Sequence, residues 1–261
     1  MKYAVLASGS KGNSTIVSSG KTNILIDCGI SKKRLNERLA ICGLGITDIN
    51  IVLVTHSHSD HTAGLKNFDE SMQFSQLFVL GKNIPESQIL CPFTKYKFGD
   101  FFVTPIPLSH DAINTTGYII EDKNEKLVYI TDTGYVSEKA LDLSKNADYY
   151  IFESNHDPKM LCESGRPQEL IKRILSDHGH LSNLEASYYL SGLVGDKTKE
   201  IVLAHLSEEC NTPQIALETY NKVMMTQLCE IPNILVRCAD ETNVYKGGTW
   251  NKELVWNYHL P

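Results

Sequence analysis

Short apolar runs bounded by glycine, serine or charged residues alternate with stretches of mixed polarity along the chain. The runs at 3–7, 15–18, 23–26 and 51–54 are punctuated by Gly and Ser clusters and predict strands. Further strands are expected at 77–80, 101–106, 116–121, 127–131, 149–152 and 200–204. A helical period stands between the third and fourth runs, where Ser31 can cap a helix, Leu35 and Leu39 share a face, and Gly43 can end it. Ser182 and Glu185 form a capping box, after which Ala186, Tyr189, Leu190 and Leu193 keep helical spacing as far as Gly195. Thr212 and Pro213 open another helix with Ala216, Tyr220, Val223 and Met224 on one face. Beyond Cys210 only this helix and a weak strand or two are legible. Strands that dominate the first half and interleave with helices later predict an α/β protein whose sheets are covered by helices. No repeat, low-complexity tract or Pro/Gly/Ser-rich linker interrupts the pattern, so residues 1–261 read as one domain.

Composition narrows this. With 261 residues, 42% hydrophobic and 21% charged, the chain can bury a large core. Its longest apolar runs fall far short of the roughly 18–20 residues a membrane helix needs, and its first residues lack the layout of a signal peptide, so a cytoplasmic protein is expected. The seven cysteines are odd in number, scattered and without a CxxC pair, which argues for reduced thiols rather than a disulfide framework or zinc ribbon. A formal charge of −6 does not advertise nucleic-acid binding, but two bound divalent cations would bring it to −2.

The chemistry is concentrated in Thr55-His56-Ser57-His58-Ser59-Asp60-His61, directly after the apolar run 51–54. His56, His58, Asp60 and His61 are metal-ligand types crowded into one turn, and imidazole with carboxylate suits zinc, manganese or iron. The His-x-His pair can converge on one ion while Asp60 and His61 turn to a second. His110, Asp132 and His205 each stand at the end of a later apolar run, and strand ends line one rim of a sheet, where sites are built.

As a set these residues resemble the metallo-β-lactamase superfamily. The resemblance implies a four-layer αββα sandwich with two divalent metal ions, His56, His58 and His110 on one, Asp60, His61 and His205 on the other, and Asp132 bridging. It also implies that Asp27 braces the metal loop through hydrogen bonds rather than binding an ion. True β-lactamases of the superfamily carry a Cys where Asp132 stands, which disfavours an antibiotic hydrolase. Flavin-linked di-iron reductases carry Glu where His58 stands, together with a flavin domain for which this chain has no room. The segment between Asp132 and His205 is too short for the RNA-processing nucleases with an inserted domain.

Ser176-Asp177-His178-Gly179-His180-Leu181-Ser182 resembles the Gly-His-x-Ser motif of the phosphodiesterase branches, in which the histidine meets the scissile phosphate. His180 would also lie beside a helix N-terminus, which favours phosphate. The opening 6–14, Thr131-Asp132-Thr133-Gly134-Tyr135, the segment 152–157 and the segment 174–183 look like the bacterial YycJ/WalJ group of metallo-β-lactamase-fold exonucleases, over roughly residues 1–210. That resemblance implies a metal-dependent phosphodiester hydrolase, a 5′-to-3′ DNA exonuclease acting through a two-metal-activated water. Asp60 would orient and deprotonate the water, and His180 would stabilise phosphoryl oxygens or protonate the leaving oxygen.

Arg166, Lys172 and Arg173 flank the His180 segment, and Lys32, Lys33 and Arg34 open the first helix, so either cluster can meet a nucleic-acid backbone. The Gly9–Gly12 turn lacks the ending of a P-loop. His156 and His178 are candidates for orienting ligands, and His259 is placed on the surface. A hydrolase of a small phosphodiester, thioester or lactone with the same dinuclear site is the alternative enzyme. A non-catalytic module with structural metals is disfavoured by a ligand set without cysteine.

Overall fold

The computed structural model describes residues 1–77, 79–80, 85–227 and 233–250. In chain order the first half contains β1 (Lys2–Ala7), β2 (Ser14–Ser18), β3 (Asn23–Ile26), α1 (Lys32–Ile41), β4 (Ile51–Leu53), α2 (Ser59–Thr62), β5 (Gln73–Phe74), β6 (Tyr96–Phe98), β7 (Phe101–Pro107), β8 (Thr116–Glu121) and β9 (Lys126–Ile130). The second contains α3 (Glu138–Ser144), β10 (Tyr149–Glu153), α4 (Pro158–Glu163), α5 (Gln168–Ile174), α6 (Asn183–Leu193), β11 (Glu200–Ala204), α7 (Pro213–Gln227), β12 (Leu235–Cys238) and β13 (Tyr245–Gly248). Among the described residues the strands form two sheets, one ordered β13-β1-β2-β3-β4-β5 and the other β12-β11-β10-β9-β8-β7-β6.

Three buried layers of side chains define the stacking. Tyr3, Val17, Ile24 and Leu53 of the first sheet meet Val103, Tyr118, Tyr129 and Ile151 of the second in a core between the sheets. The outer face of the first sheet packs Leu6, Ile16 and Leu25 against Leu35 and Leu39 of α1. The outer face of the second packs Ile130, Tyr150, Phe152 and Leu203 against Ala140, Ala186, Leu190, Tyr220 and Met224 of α3, α6 and α7. The result is the four-layer αββα sandwich. Strands β3, β9, β10 and β11 are apolar and buried along most of their length because a helix layer and a sheet cover both faces.

The helix signals work as local physics requires. Ser31 accepts a hydrogen bond from Arg34 N at the start of α1, and Ser182 and Glu185 make the reciprocal capping box of α6. That helix ends at Leu193, two residues before Gly195. One expected strand is not formed. Of 77–80, Phe78 lies outside the described residues and Leu77, Val79 and Leu80 are in turns, because the chain leaves the sheet after the two-residue β5. Leu77 is exposed, and its carbonyl accepts from Asn114 Nδ2. His259 and Cys229 also lie outside the described residues, and the six described cysteines are free thiols. No helix among the described residues is long and apolar enough to cross a membrane.

What positions the site is the direction of the strands. β9, β10, β11 and β12 run parallel in one sheet and β3 and β4 run parallel in the other, so their carboxyl ends open on one rim, the usual site-bearing edge of such sheets.

Candidate metal centre

Three residues at this rim adopt the left-handed backbone region, which costs a non-glycine residue of order 1 kcal/mol or more. Asp27 follows β3 with φ 58°, Asp132 follows β9 with φ 59°, and His205 follows β11 with φ 57°. The chain turns sharply at each strand end and aims the side chain inward, and the cost is held by the packed sheets behind it.

The aimed side chains fall into overlapping groups whose ligand-type atoms lie within 4.8 Å of one another: His56, His58 and His110; His56, His61 and Asp132; Asp60, His61 and His205. Asp132, His180 and His205 join Glu153 in a fourth such group. Asp132 stands between the histidine trio and the Asp60 side, with Oδ2 3.3 Å from His61 Nε2 and Oδ1 3.3 Å from His205 Nε2. All eight residues singled out in the sequence therefore share one cleft.

Each ring is oriented from behind. Asp27 is fully buried, accepts from Thr55 N and Thr55 Oγ1 at 2.8 Å each, and lies 2.7 Å from His61 Nδ1. His56 Nδ1 is 3.0 Å from Thr55 Oγ1, and His110 Nδ1 is 3.1 Å from the Gly179 carbonyl. Occupying Nδ1 leaves Nε2 of these rings for the centre, the arrangement that outer carboxylates and carbonyls impose on metal-binding histidines. Gly179 can supply its carbonyl because it packs against α5, where a Cβ would come within 2.1 Å of the Ile174 oxygen. At Gly29 a Cβ would meet the Asp60 carbonyl oxygen at 1.5 Å, so only glycine lets the β3–α1 loop hold α2 in place.

Glu153, at the end of β10, was not singled out by ligand spacing, yet it organises half of the cleft. Its buried carboxylate accepts from the backbone N–H groups of Asp132, Thr133 and Leu181 at 3.1, 3.0 and 3.0 Å. Its Oε1 also lies 2.9 Å from His180 Nδ1 and 3.0 Å from His205 Nδ1. Burial alone would raise its pKa, but the two histidines and these hydrogen bonds outweigh burial and hold it down to about 2. Asn13 and Asp111 were missed as well. Asn13 Nδ2 lies 2.9 Å from His61 Nε2 and 3.4 Å from Asp60 Oδ2. Asp111 Oδ1 lies 3.1 Å from His110 Nε2 and 3.6 Å from His58 Nε2. Contacts between distant segments reveal Glu153 and Asn13, whereas Asp111 directly follows His110 in the chain.

His178 lies outside the groups, with Nδ1 3.0 Å from Ser109 Oγ on the surface. His156 is buried beside the cap of α6, and neither ring nitrogen has a hydrogen-bond partner among the described residues.

The donor set fits divalent cations. Among the described residues, Asp132 Oδ2 and His205 Nε2 are buried polar atoms with no hydrogen-bond partner, which a folded interior rarely tolerates unless an ion completes them. Burial and the neighbouring rings push His56 down to about 2, so it is neutral and has a lone pair to give. His205 moves the other way: burial opposes its protonation, but the Asp132 and Glu153 carboxylates raise it to about 9, and the same negative charges favour a cation. Nitrogen and oxygen donors without a thiol suit zinc, manganese or iron.

This fold and this cleft define a class. Residues 22–205 match the beta-lactamase superfamily domain, and the chain belongs to that superfamily, in its metallo-β-lactamase branch; it is an enzyme, a metal-dependent hydrolase. Over 235 residues it is 37% identical to the exodeoxyribonuclease YycJ of Bacillus anthracis, covering 86% of this chain and 89% of that protein. It is 35% identical over 244 residues to the exodeoxyribonuclease WalJ of Streptococcus pneumoniae, covering 88% of each. Among solved structures, the metallo-β-lactamase-fold protein YhfI from Bacillus subtilis superposes with a TM-score of 0.66 at 19% identity over 94% of this chain and 99% of its own, a likeness of fold.

Proposed function

We propose that this protein is a two-metal exodeoxyribonuclease of the cytoplasm that hydrolyses DNA from the 5′ end, with residues 1–261 acting as one domain. The single observation that carries phosphodiester chemistry is His180. It lies against both the Asp132 and His205 side chains, it is 17% exposed at the mouth of the cleft, and Glu153 holds its Nδ1, leaving Nε2 for a substrate. DNA as the substrate rests on the exodeoxyribonuclease relatives.

In this reading His56, His58 and His110 would hold one divalent cation and Asp60, His61 and His205 a second, with Asp132 within reach of both. Two such cations supply Lewis acidity at the phosphate and a water of lowered pKa. Asp60, whose Oδ2 lies 3.5 Å from His61 Nε2 and whose side chain is 22% exposed, would orient the attacking water and take its proton. His180 binds the phosphoryl oxygens and gives a proton to the leaving oxygen, and the Glu153 carboxylate stabilises it while charged.

The test is degradation of end-labelled DNA, duplex and single-stranded, by protein stripped of metal and reloaded with zinc or manganese. Release of the 5′ label as small products, absent in Asp132→Ala, is expected. Release from the 3′ end first would overturn the direction, and intact DNA with turnover of a nitrophenyl phosphodiester would overturn the polymer substrate.

A further inference from the structure

On the His180 side of the cleft the surface opens into a cavity of about 490 Å³ whose walls include Ser10, Asn155, Arg166, Arg173, His180 and Glu209. Of these residues only His180 has a part in the catalysis proposed for the metal centre. Two guanidinium groups in one concavity beside a phosphate-facing histidine are a composition suited to an oxyanion. Their present partners sharpen the point. Arg166 aims both Nε and Nη2 at the same Glu209 oxygen, Oε2, at 3.2 and 2.8 Å. Its fork of two donors is thus spent on a single acceptor atom. The Glu209 side chain is 71% exposed, so water screens the pair and it contributes little to stability. Arg173 makes a single contact, through Nη1, with Asp111 Oδ2 at the edge of the histidine trio. A phosphate group offers a guanidinium two oxygens at the spacing of the fork, which a single carboxylate oxygen does not.

Resting on the nuclease reading, we propose that this cavity is a subsite for a second, non-scissile phosphate of the substrate, and that Glu209 is a displaceable stand-in holding the Arg166 fork until that phosphate arrives. Arg166 is the anchor, since its side chain is 25% exposed against 57% for Arg173. The phosphate belongs either to a 5′-terminal monophosphate or to the internal diester next to the one being cut, because both present the same oxygens. The overall charge of −6 then has a local meaning: cations that meet the substrate are masked by carboxylates in the free protein.

The two partners of the pair give the test opposite signs. Metal-loaded full-length protein, Arg166→Gln and Glu209→Gln would be compared for KM and kcat on DNA strands ending in a 5′-phosphate or a 5′-hydroxyl, and for affinity towards inorganic phosphate by titration calorimetry. Arg166→Gln should raise KM about tenfold or more with kcat nearly unchanged, the signature of lost uniform binding, while Glu209→Gln should lower KM a few-fold. Phosphate affinity should follow the same order. A loss confined to phosphorylated ends assigns the cavity to the terminal monophosphate, and an equal loss on both ends assigns it to the internal diester. Unchanged KM and phosphate affinity in both variants, or a shift in the same direction in both, as a merely structural ion pair gives, would overturn the subsite. If the unmodified protein leaves DNA intact but the two variants shift phosphate affinity in opposite directions, the nuclease reading falls and the subsite stands.

Discussion

Glu153 shows how much a single buried carboxylate can set. Three backbone N–H groups from two loops and two imidazoles converge on it, so it fixes the turn carrying Asp132, the ring of His205 and the ring of His180 together. Glu153→Ala leaves those donors buried without an acceptor and should lower stability by about 3–5 kcal/mol, read as a shift of the urea midpoint. Asp27 has a narrower task on the opposite wall. Asp27→Asn keeps the shape but weakens the contact with His61 Nδ1, and should cost about 10–100-fold in metal affinity with the fold retained, measured by competition with a chelator; unchanged affinity would refute the bracing role. The sequence already displays His56, His58, Asp60 and His61, because metal ligands are uncommon residue types at fixed local spacing. Glu153 reads there as the last residue of an apolar strand and Asn13 as part of a glycine turn. Their roles exist only through segments far apart in the chain, which no local pattern encodes.

At the scale of elements, the legible pieces are those whose ends carry caps and whose faces repeat. α1, α6 and α7 declare themselves through Ser31, the Ser182–Glu185 box and Thr212-Pro213. α3, α4 and α5 run only six or seven residues, too short for a periodic stripe, although Asp157 before Pro158 is a cap signal that their positions retain. The segment 77–80 misleads for the complementary reason: its apolar residues look like a strand, but the sheet edge is already ended at β5. The α6 cap matters beyond the helix, since Ser182 ends the same loop that carries His180. Ser182→Ala should cost about 1 kcal/mol and lower Tm by roughly 2–4 °C in a protein of this size. No change in a melting curve would show that the capping box contributes nothing to the folded state.

The whole molecule closes through pairings that join the start of the chain to its distant parts. Glu125 binds the amino terminus, Tyr149 Oη at 2.6 Å and Lys199 Nζ at 2.9 Å. Burial would raise its carboxyl, but these three partners hold it from the ordinary 4.5 down to about 2. A carboxylate held lower in the folded state than in the unfolded one stabilises the protein fully above its unfolded value, and that contribution fades as pH falls from about 4.5 towards 2. Glu125→Gln should therefore be less stable than the unmodified protein at pH 6, with the gap narrowing below about pH 4.5 and closing only towards pH 2; a gap constant with pH would contradict the linkage. The layered architecture was readable from the order of strands and helices, and the meeting of 55–61 with His110, Asp132 and His205 from ligand types at strand ends, whereas the parts of Asn13 and Glu153 were not, because they depend on how segments far apart in the chain face each other. Whether this rim is a two-cation centre with a separate phosphate-facing histidine is decided by measuring bound metal and DNA turnover together in the unmodified protein, Asp132→Ala and His180→Ala. Two equivalents of metal and full turnover are expected in the first, loss of both in the second, and two equivalents with turnover lost in the third; a His180→Ala protein that degrades DNA at the full rate would rule out the histidine's part in the reaction.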